Sequence, residues 1–112
     1  MDKNAAVYLL SSGFNGTLYV GVTSNLLQRI AQHRAELLGG FTAKNRVKRL
    51  VWFEMGGDME AAIRREKQIK NWRREWKIAL IKSHNPTWRD LAEDLGFEPL
   101  IRFKMDPGSS PG

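Results

Sequence analysis

The fold is decided by residues 5–22, AAVYLLSSGFNGTLYVGV. The first part of this stretch, Ala5 to Ser11, is short, apolar and bounded by Ser and Gly, which is typical of a buried strand. Asn15 and Gly16 tolerate the positive φ angles of a tight turn, so they favour a hairpin here. Thr17 to Val22 is therefore predicted to return antiparallel to the first strand.

Each strand of this hairpin carries one tyrosine, Tyr8 or Tyr19. Side chains alternate between the two faces of a strand, so the length of the hairpin loop decides whether the two rings meet. A loop with an even number of residues puts both tyrosines on one face of the sheet, whereas an odd number separates them. Taken alone, tyrosines in strands are most often half-buried aromatic residues of the sheet.

Composition narrows the class of protein. The 112 residues suffice for one domain, and a net charge of +6 suggests an anionic partner, most commonly nucleic acid. The absence of cysteine excludes disulfides, zinc–cysteine sites, iron–sulfur clusters and thiol nucleophiles. Because no apolar run approaches the about 20 residues that span a bilayer and no signal peptide opens the chain, a soluble, cytoplasmic protein is expected.

Helical spacing and caps predict the other elements. Thr23, Ser24 and Asn25 are all suitable caps for a helix that runs to Leu38, with apolar residues on one arc and Arg29 and His33 together along its edge. That apolar arc consists of Leu26, Leu27, Ile30, Leu37 and Leu38. A third strand is predicted over Arg49 to Glu54. Further helices are predicted over residues 59–72 and 73–83, and a short one opens at Asn85-Pro86 and ends at Gly96.

The helix that Asp58 caps carries a carboxylate on its apolar face. Its inward arc consists of Ala62, Ile63 and Ile69, and Glu66 falls inside that arc. Burying an unpaired carboxylate is costly, so Glu66 is expected to have a cation or strong donors. That partner is either a metal ion or a basic residue such as Lys70, and the spacing leaves both open.

Taken together and in order, these residues resemble the GIY-YIG nuclease superfamily. The resemblance begins at Ala6-Val7-Tyr8 and Tyr19-Val20-Gly21 and continues through Thr23, Asn25-Leu26, Arg29 and His33. It extends through Gly40-Phe41-Thr42, RLVWFE, AAIRREKQIKNWRREWKIALI and NPTWRDL, so that it covers residues 4–95. These segments look like the small stand-alone bacterial proteins of this superfamily, which are similar to the amino-terminal nuclease domain of the excision-repair incision subunit.

The resemblance implies an α/β (α+β) fold with a small three-stranded antiparallel sheet flanked by helices. Residues 1–96 would form the nuclease domain and residues 97–112 a flexible C-terminal extension. The implied activity is that of a metal-dependent DNA endonuclease in DNA repair or processing, with a preference for a DNA structure or a single strand and with Mg²⁺ or Mn²⁺ as cofactor. The implied catalytic set is Tyr8, Tyr19, Arg29, His33 and Glu66, with Glu66 as the metal ligand.

The chemistry suits these residue types. A guanidinium such as Arg29 offers a charged donor fork to a phosphate that gains negative charge during attack by water. A hard cation that keeps several waters needs only one inward carboxylate, here Glu66. Since a tyrosine with a pKa of about 10 is a poor base at neutral pH, His33 is expected to take the proton of Tyr8. This makes Tyr8 the candidate base and Tyr19 a positioning or alternate base.

The sequence departs from the family pattern at a few positions. Ala6 replaces the first motif glycine, and Asn45 stands where relatives have a tyrosine, which puts stacking or proton transfer at that position in doubt. For the asparagine of the last family motif, Asn71 and Asn85 are both candidates.

Basic residues predict a track for nucleic-acid phosphates. It consists of Lys44, Arg46, Lys48, Arg49, Lys70, Arg73, Arg74 and Lys77. Trp72 and Trp76 are assigned to the core, because tryptophan at helical spacing is more often core than a stacking surface for bases. Two other classes remain open: a catalytically silent nucleic-acid-binding module and a protein-interaction domain. RNA as the substrate, a protein partner and a homodimer are open as well.

Overall fold

A computed structural model describes residues 5–35, 40 and 44–100, and it contains the predicted three-stranded antiparallel sheet. The strands are β1 (Ala6–Ser11), β2 (Leu18–Thr23) and β3 (Arg49–Met55), in the order β2-β1-β3. All six residues of the central strand are buried. A strand covered on both faces needs apolar side chains at successive positions, which is why its sequence shows no alternation.

The hairpin register places the two tyrosines on one face. Ser11 pairs with Leu18, so the loop has the six residues 12–17, an even number. Tyr19 consequently packs in the same apolar cluster as Tyr8. Asn15 adopts the positive φ of 56° that the turn residue was expected to supply.

Helices cover both faces of the sheet. They are α1 (Leu26–Arg34), α2 (Met59–Lys70), α3 (Arg74–His84) and a 3₁₀ helix, η1 (Leu91–Leu95). One apolar cluster joins α2 and α3 to the sheet, and a second joins α1 and η1 to its other face. The predicted caps are confirmed: the side chains of Asn25 and Asp58 accept hydrogen bonds from the backbone N–H groups of Gln28 and Ala61.

The helices bury narrower arcs than predicted. Leu27, Ile63 and Trp76 were assigned to buried faces, but their side chains are 52%, 37% and 52% exposed. Only a thin stripe of a helix touches the sheet beneath it, so residues at the border of an apolar arc face solvent. The continuation of α1 through Leu37 and Leu38 lies outside the described residues.

The short helix predicted from Pro86 is wrong in its start and type. The Asn85 side chain donates to the carbonyl oxygens of Val51 (3.1 Å) and Arg89 (2.8 Å) and accepts from the Arg89 N–H (3.0 Å). The buried Trp88 takes a φ of 57° in the turn that these bonds hold. Helical geometry therefore begins only at Leu91 and is of the 3₁₀ type.

The described chain ends against the domain. Phe97 packs on the α1 and η1 cluster, and the Arg34 guanidinium donates to the carbonyl oxygen of Glu98. The predicted flexible tail from Met105 onward lies outside the described residues, and the domain boundary at Gly96 stays a prediction. Among the described residues, no helix is long and apolar enough to cross a membrane.

Candidate active site

The site is built around Tyr8, whose side chain lies across the neighbouring strand. Tyr8 pairs with Gly21 of β2, and its side chain has no exposed surface. A Cβ atom at Gly21 would overlap the ring atom Cζ and the hydroxyl oxygen of Tyr8. Gly21 is thus a site residue that the sequence analysis missed, although a glycine inside a strand is a signal for close approach.

Tyr8 meets His33 of α1. The Tyr8 hydroxyl lies 3.0 Å from His33 Nε2, and His33 is only 3% exposed. The sequence analysis placed His33 at the edge of the apolar arc of α1. Its position two helical turns after Leu26, seven residues along the chain, brings it onto the buried arc instead. The Tyr19 ring closes the group, with its centroid 6.3 Å from that of Tyr8 and 5.6 Å from that of His33.

Arg29 acts on both buried groups from one turn earlier in α1. Burial raises the pKa of Tyr8 to about 12, with Tyr19 and Glu66 adding to the rise, while a hydrogen bond and the charge of Arg29 oppose it. Burial and the Arg29 charge lower the pKa of His33 to about 4. At neutral pH the tyrosine is therefore a phenol and the histidine a neutral imidazole.

One hydrogen bond joins these two groups. It lies between the Tyr8 hydroxyl and Nε2 of the neutral imidazole, and the histidine tautomer sets its direction. The other ring nitrogen of His33, Nδ1, is a buried atom with no hydrogen-bond partner among the described residues. The direction of the Tyr8 pKa shift is the opposite of what the expected role as general base requires.

Glu66 of α2 is close enough to this group for its charge to add to the rise in the pKa of Tyr8. It is 9% exposed and shares the buried face of the helix with Ala62 and Ile69, as predicted. Its Oε2 atom lies 3.7 Å from Nζ of Lys70, a side chain that is 67% exposed. Such a long ion pair to an exposed lysine leaves a carboxylate that can accept other partners, so Lys70 and a cation remain compatible.

The donor set fits a hard divalent cation. Within residues 5–35, 40 and 44–100, no three His, Cys, Asp or Glu side chains form a ready metal cluster. Mg²⁺ does not require one, since it is commonly held by one or two carboxylates together with water and substrate phosphate. Glu66 supplies one such oxygen ligand beside the tyrosines and Arg29.

The predicted basic track divides into exposed and partly buried side chains. Lys44, Arg46, Lys70, Arg73 and Arg74 are exposed, whereas Lys48, Arg49 and Lys77 are partly buried. Arg49 donates to the carbonyl oxygen of Trp88 at 3.0 Å, and Arg74 donates to the hairpin turn at Asn15 (2.9 Å) and Gly16 (2.8 Å). Arg49 and Arg74 therefore also hold the fold at the hairpin end of the sheet.

The three asparagines Asn45, Asn71 and Asn85 differ in burial and in the bonds of their side chains. Asn85 is buried and its side chain is used by the backbone of the α3–η1 connection. Asn71 is the exposed C-terminal cap of α2, and Asn45 is exposed in the loop before β3. The Asn85 side chain thus holds the backbone of the α3–η1 connection in place.

Comparison with known proteins points to one family. The family model described as the GIY-YIG catalytic domain matches residues 4–79. A UPF0213 protein of Syntrophus aciditrophicus is 36% identical over 85 residues, which is 75% of this chain and 95% of that protein. A UPF0213 protein of Staphylococcus haemolyticus is 37% identical over 76 residues, which is 68% of this chain and 92% of that protein.

A solved structure gives the fold independently. The solution structure of the UPF0213 protein from Bacillus halodurans superimposes with a TM-score of 0.50 at 24% identity. The superposition covers 84% of this chain and 98% of that one. Together with the match of the family model over more than half of the sequence, these findings show that the chain belongs to the GIY-YIG family.

Proposed function

We propose that this protein is a metal-dependent endonuclease that hydrolyses phosphodiester bonds in DNA. Family membership implies a nuclease-type function that acts on nucleic acid. The observation that carries the proposal is the convergence of Tyr8, Tyr19, His33 and Arg29 beside the carboxylate of Glu66. Phosphoryl chemistry needs this combination of a charged donor, a proton acceptor and an anchor for a cation.

Arg29 binds the scissile phosphate in this proposal. Its charge acts on both Tyr8 and His33, so the guanidinium lies beside the buried pair. A preorganised guanidinium stabilises the negative charge that develops on the non-bridging oxygens without having to reorganise. Tyr8 and His33 are positioning residues, because both are buried and uncharged at neutral pH.

We assign the base to Tyr19. The buried Tyr8 hydroxyl is already engaged by His33 and its pKa is raised, so it is poorly suited to take a proton from water. Tyr19 is partly exposed and borders the same cluster. The sequence analysis allowed this second assignment as the alternate base, and the difference in burial supports it.

Glu66 holds the cation, for which we propose Mg²⁺, with Mn²⁺ as a substitute. When bound, such an ion polarises the phosphate and stabilises the leaving oxygen. The rest of the setting follows the family expectation: DNA repair or processing in the cytoplasm, with preference for a DNA structure or a single strand rather than a long sequence.

Cleavage assays test the proposal. End-labelled single-stranded, duplex and branched DNA are incubated with the protein in Mg²⁺, in Mn²⁺ and in EDTA. We expect cutting that requires metal and that is lost in Glu66→Gln. Glu60→Gln is the matched control, because Glu60 lies on the same helix but is 85% exposed and pairs with Arg64 at the surface.

Further variants test the roles within the site. Arg29→Ala should lower the cleavage rate about 100- to 1000-fold, as removal of a donor to a developing oxyanion does in other enzymes. Tyr19→Phe should abolish turnover, whereas Tyr8→Phe should retain part of it. Binding of DNA without scission in any metal would support the catalytically silent binding module instead, and the reverse result for the two tyrosines would exchange their roles.

A further inference from the structure

Two tryptophans form an open apolar groove where α2 meets α3. Trp72 and Trp76 pack edge to face with centroids 6.2 Å apart, and with Ala79 and Leu80 they line a groove of about 430 Å³. Trp72 is partly buried against the core, but Trp76 is 52% exposed. A large exposed aromatic ring beside a groove is a surface on which a flat ligand can stack.

Guanidinium groups flank both rings. Arg73 lies over the Trp76 ring at 5.3 Å and Arg65 over the Trp72 ring at 5.6 Å, measured from Cζ to the ring centroid. Arg73 also pairs with Glu75 at 3.1 Å, but both side chains are 68% exposed. An ion pair that exposed contributes little, so Arg73 can exchange Glu75 for a phosphate at small cost.

The segment that carries this groove is strongly basic. Residues 64–77 contain seven basic and two acidic side chains, a net charge of +5 in a chain whose total is +6. The groove therefore combines apolar ring surface with a basic segment. This pairing matches an anionic backbone with a flat base at every unit, and it matches less well an acidic peptide, whose charged residues carry no ring.

We propose that the groove binds an unpaired nucleic-acid strand, with a base stacked on Trp76 and the neighbouring phosphates on Arg73 and Lys70. A duplex keeps its bases stacked on each other and cannot offer a free base face. The inference rests on the proposed nuclease function, because it names an unpaired strand as the form of nucleic acid that the groove delivers to Glu66.

The groove lies within reach of the site along one strand. Glu66 and Lys70 are one turn apart on α2, and Trp72 follows two residues later. The Cα atoms of Glu66 and Trp72 are thus at most about 14 Å apart, from the helical rise and the spacing of successive Cα atoms. At about 3.4 Å per stacked nucleotide, about four nucleotides span this distance.

Binding measurements in EDTA test the inference without cleavage. Anisotropy titrations use dye-labelled oligothymidine and oligouridine strands, each longer than four nucleotides, and a blunt DNA duplex. Trp76→Leu keeps an apolar side chain but removes the stacking face, and Trp76→Phe restores a ring. Phe14→Leu is the matched control, because Phe14 is an exposed aromatic residue, 67% accessible, in the hairpin turn.

We expect Trp76→Leu to weaken binding of both single strands about 5- to 150-fold, the range for loss of one stacked base. Trp76→Phe should recover most of the affinity, and Phe14→Leu and the duplex should show little change. Equal losses for strand and duplex, or no loss for the strand, would overturn the inference. Dissociation of a dimer by Trp76→Leu in sedimentation would overturn it as well and assign the groove to self-association.

The outcome separates this inference from the proposed function. If strand binding depends on Trp76 but no metal supports cutting, the binding role of the groove is supported and the nuclease proposal is contradicted. If the protein cuts DNA while Trp76→Leu binds strands as tightly as the unchanged protein, the nuclease proposal is supported and the binding role of the groove is contradicted.

Discussion

Gly21→Ala should displace the tyrosine at the centre of the site. The added methyl carbon would overlap Cζ and the hydroxyl oxygen of Tyr8. Tyr8 has no exposed surface and its hydroxyl is held 3.0 Å from His33 Nε2, so the ring has no free space into which to move. The substitution therefore forces either the strand pair or the hydrogen-bonded cluster to shift.

The size of the effect follows from opposing contributions. Overpacking of a close-packed region costs about 1–3 kcal/mol, and a lost hydrogen bond costs about 1 kcal/mol more. Replacing glycine inside a strand returns about 0.5–1 kcal/mol of backbone entropy. The free energy of unfolding should therefore fall by about 1–3 kcal/mol, together with a loss of any cleavage that depends on Arg29.

Urea denaturation followed by circular dichroism measures this change. Gly13→Ala is the control, since a Cβ there meets no atom within 4 Å, and it should change stability by less than about 1 kcal/mol. Tyr8→Leu removes the overlapping atoms, so Gly21→Ala should cost little in that background, with a coupling of about 1–3 kcal/mol between the two sites. Equal stability of the two alanine variants, or no coupling to Tyr8, would refute the placement of the ring over Gly21.

Other predictions concern the buried polar groups. The pKa of His33 is about 4 in the folded protein, below the value of about 6.5 in an unfolded chain. As the pH drops, the unfolded state therefore takes up the proton first. The free energy of unfolding should fall by about 3 kcal/mol between pH 6.5 and pH 4. His33→Gln should flatten the pH dependence seen in denaturation titrations, and an unchanged slope would contradict the assignment. Ultraviolet titration of Tyr19→Phe, which retains Tyr8, should show no tyrosinate until the pH nears 12 or the protein unfolds, and ionisation near pH 10 in the folded protein would speak against burial. Asp90→Ala should lower the free energy of unfolding by about 3–5 kcal/mol in the same denaturation assay. The substitution removes the partner of the nearly buried Arg34 guanidinium, 2.9 Å away, and the acceptor of the Leu50 N–H. A loss below about 1 kcal/mol would show that water replaces the carboxylate.

Local patterns were sufficient for most of the fold. The apolar run of β1, the Asn-Gly turn and the capping residues Asn25 and Asp58 act over a few residues, so their structural outcome is written in neighbouring positions. The helical period likewise placed Glu66 on a buried face before any contact was known. The same reasoning failed for Trp76 and Leu27, because the width of a buried arc depends on the surface that the helix meets.

The turn before η1 failed for a related reason. A proline after asparagine ordinarily opens a helix, and nothing near Pro86 in the sequence argues otherwise. The competing partner of Asn85 is the carbonyl oxygen of Val51, which is 34 residues away along the chain. The helical preference of a few neighbouring residues is overridden when a buried side-chain amide can form hydrogen bonds with backbone groups far along the chain.

The sequence by itself determined the three strands, the helices α1 to α3 and the identity of the candidate site residues, and the register of the hairpin then put the two tyrosines on one face. Only the tertiary structure decided what each of them can do. Tyr8 lies over Gly21 and under α1, where loss of water raises its pKa, whereas Tyr19 stays accessible. The cost of burying a charge depends on everything packed around the group, and that environment is assembled from segments far apart in the chain.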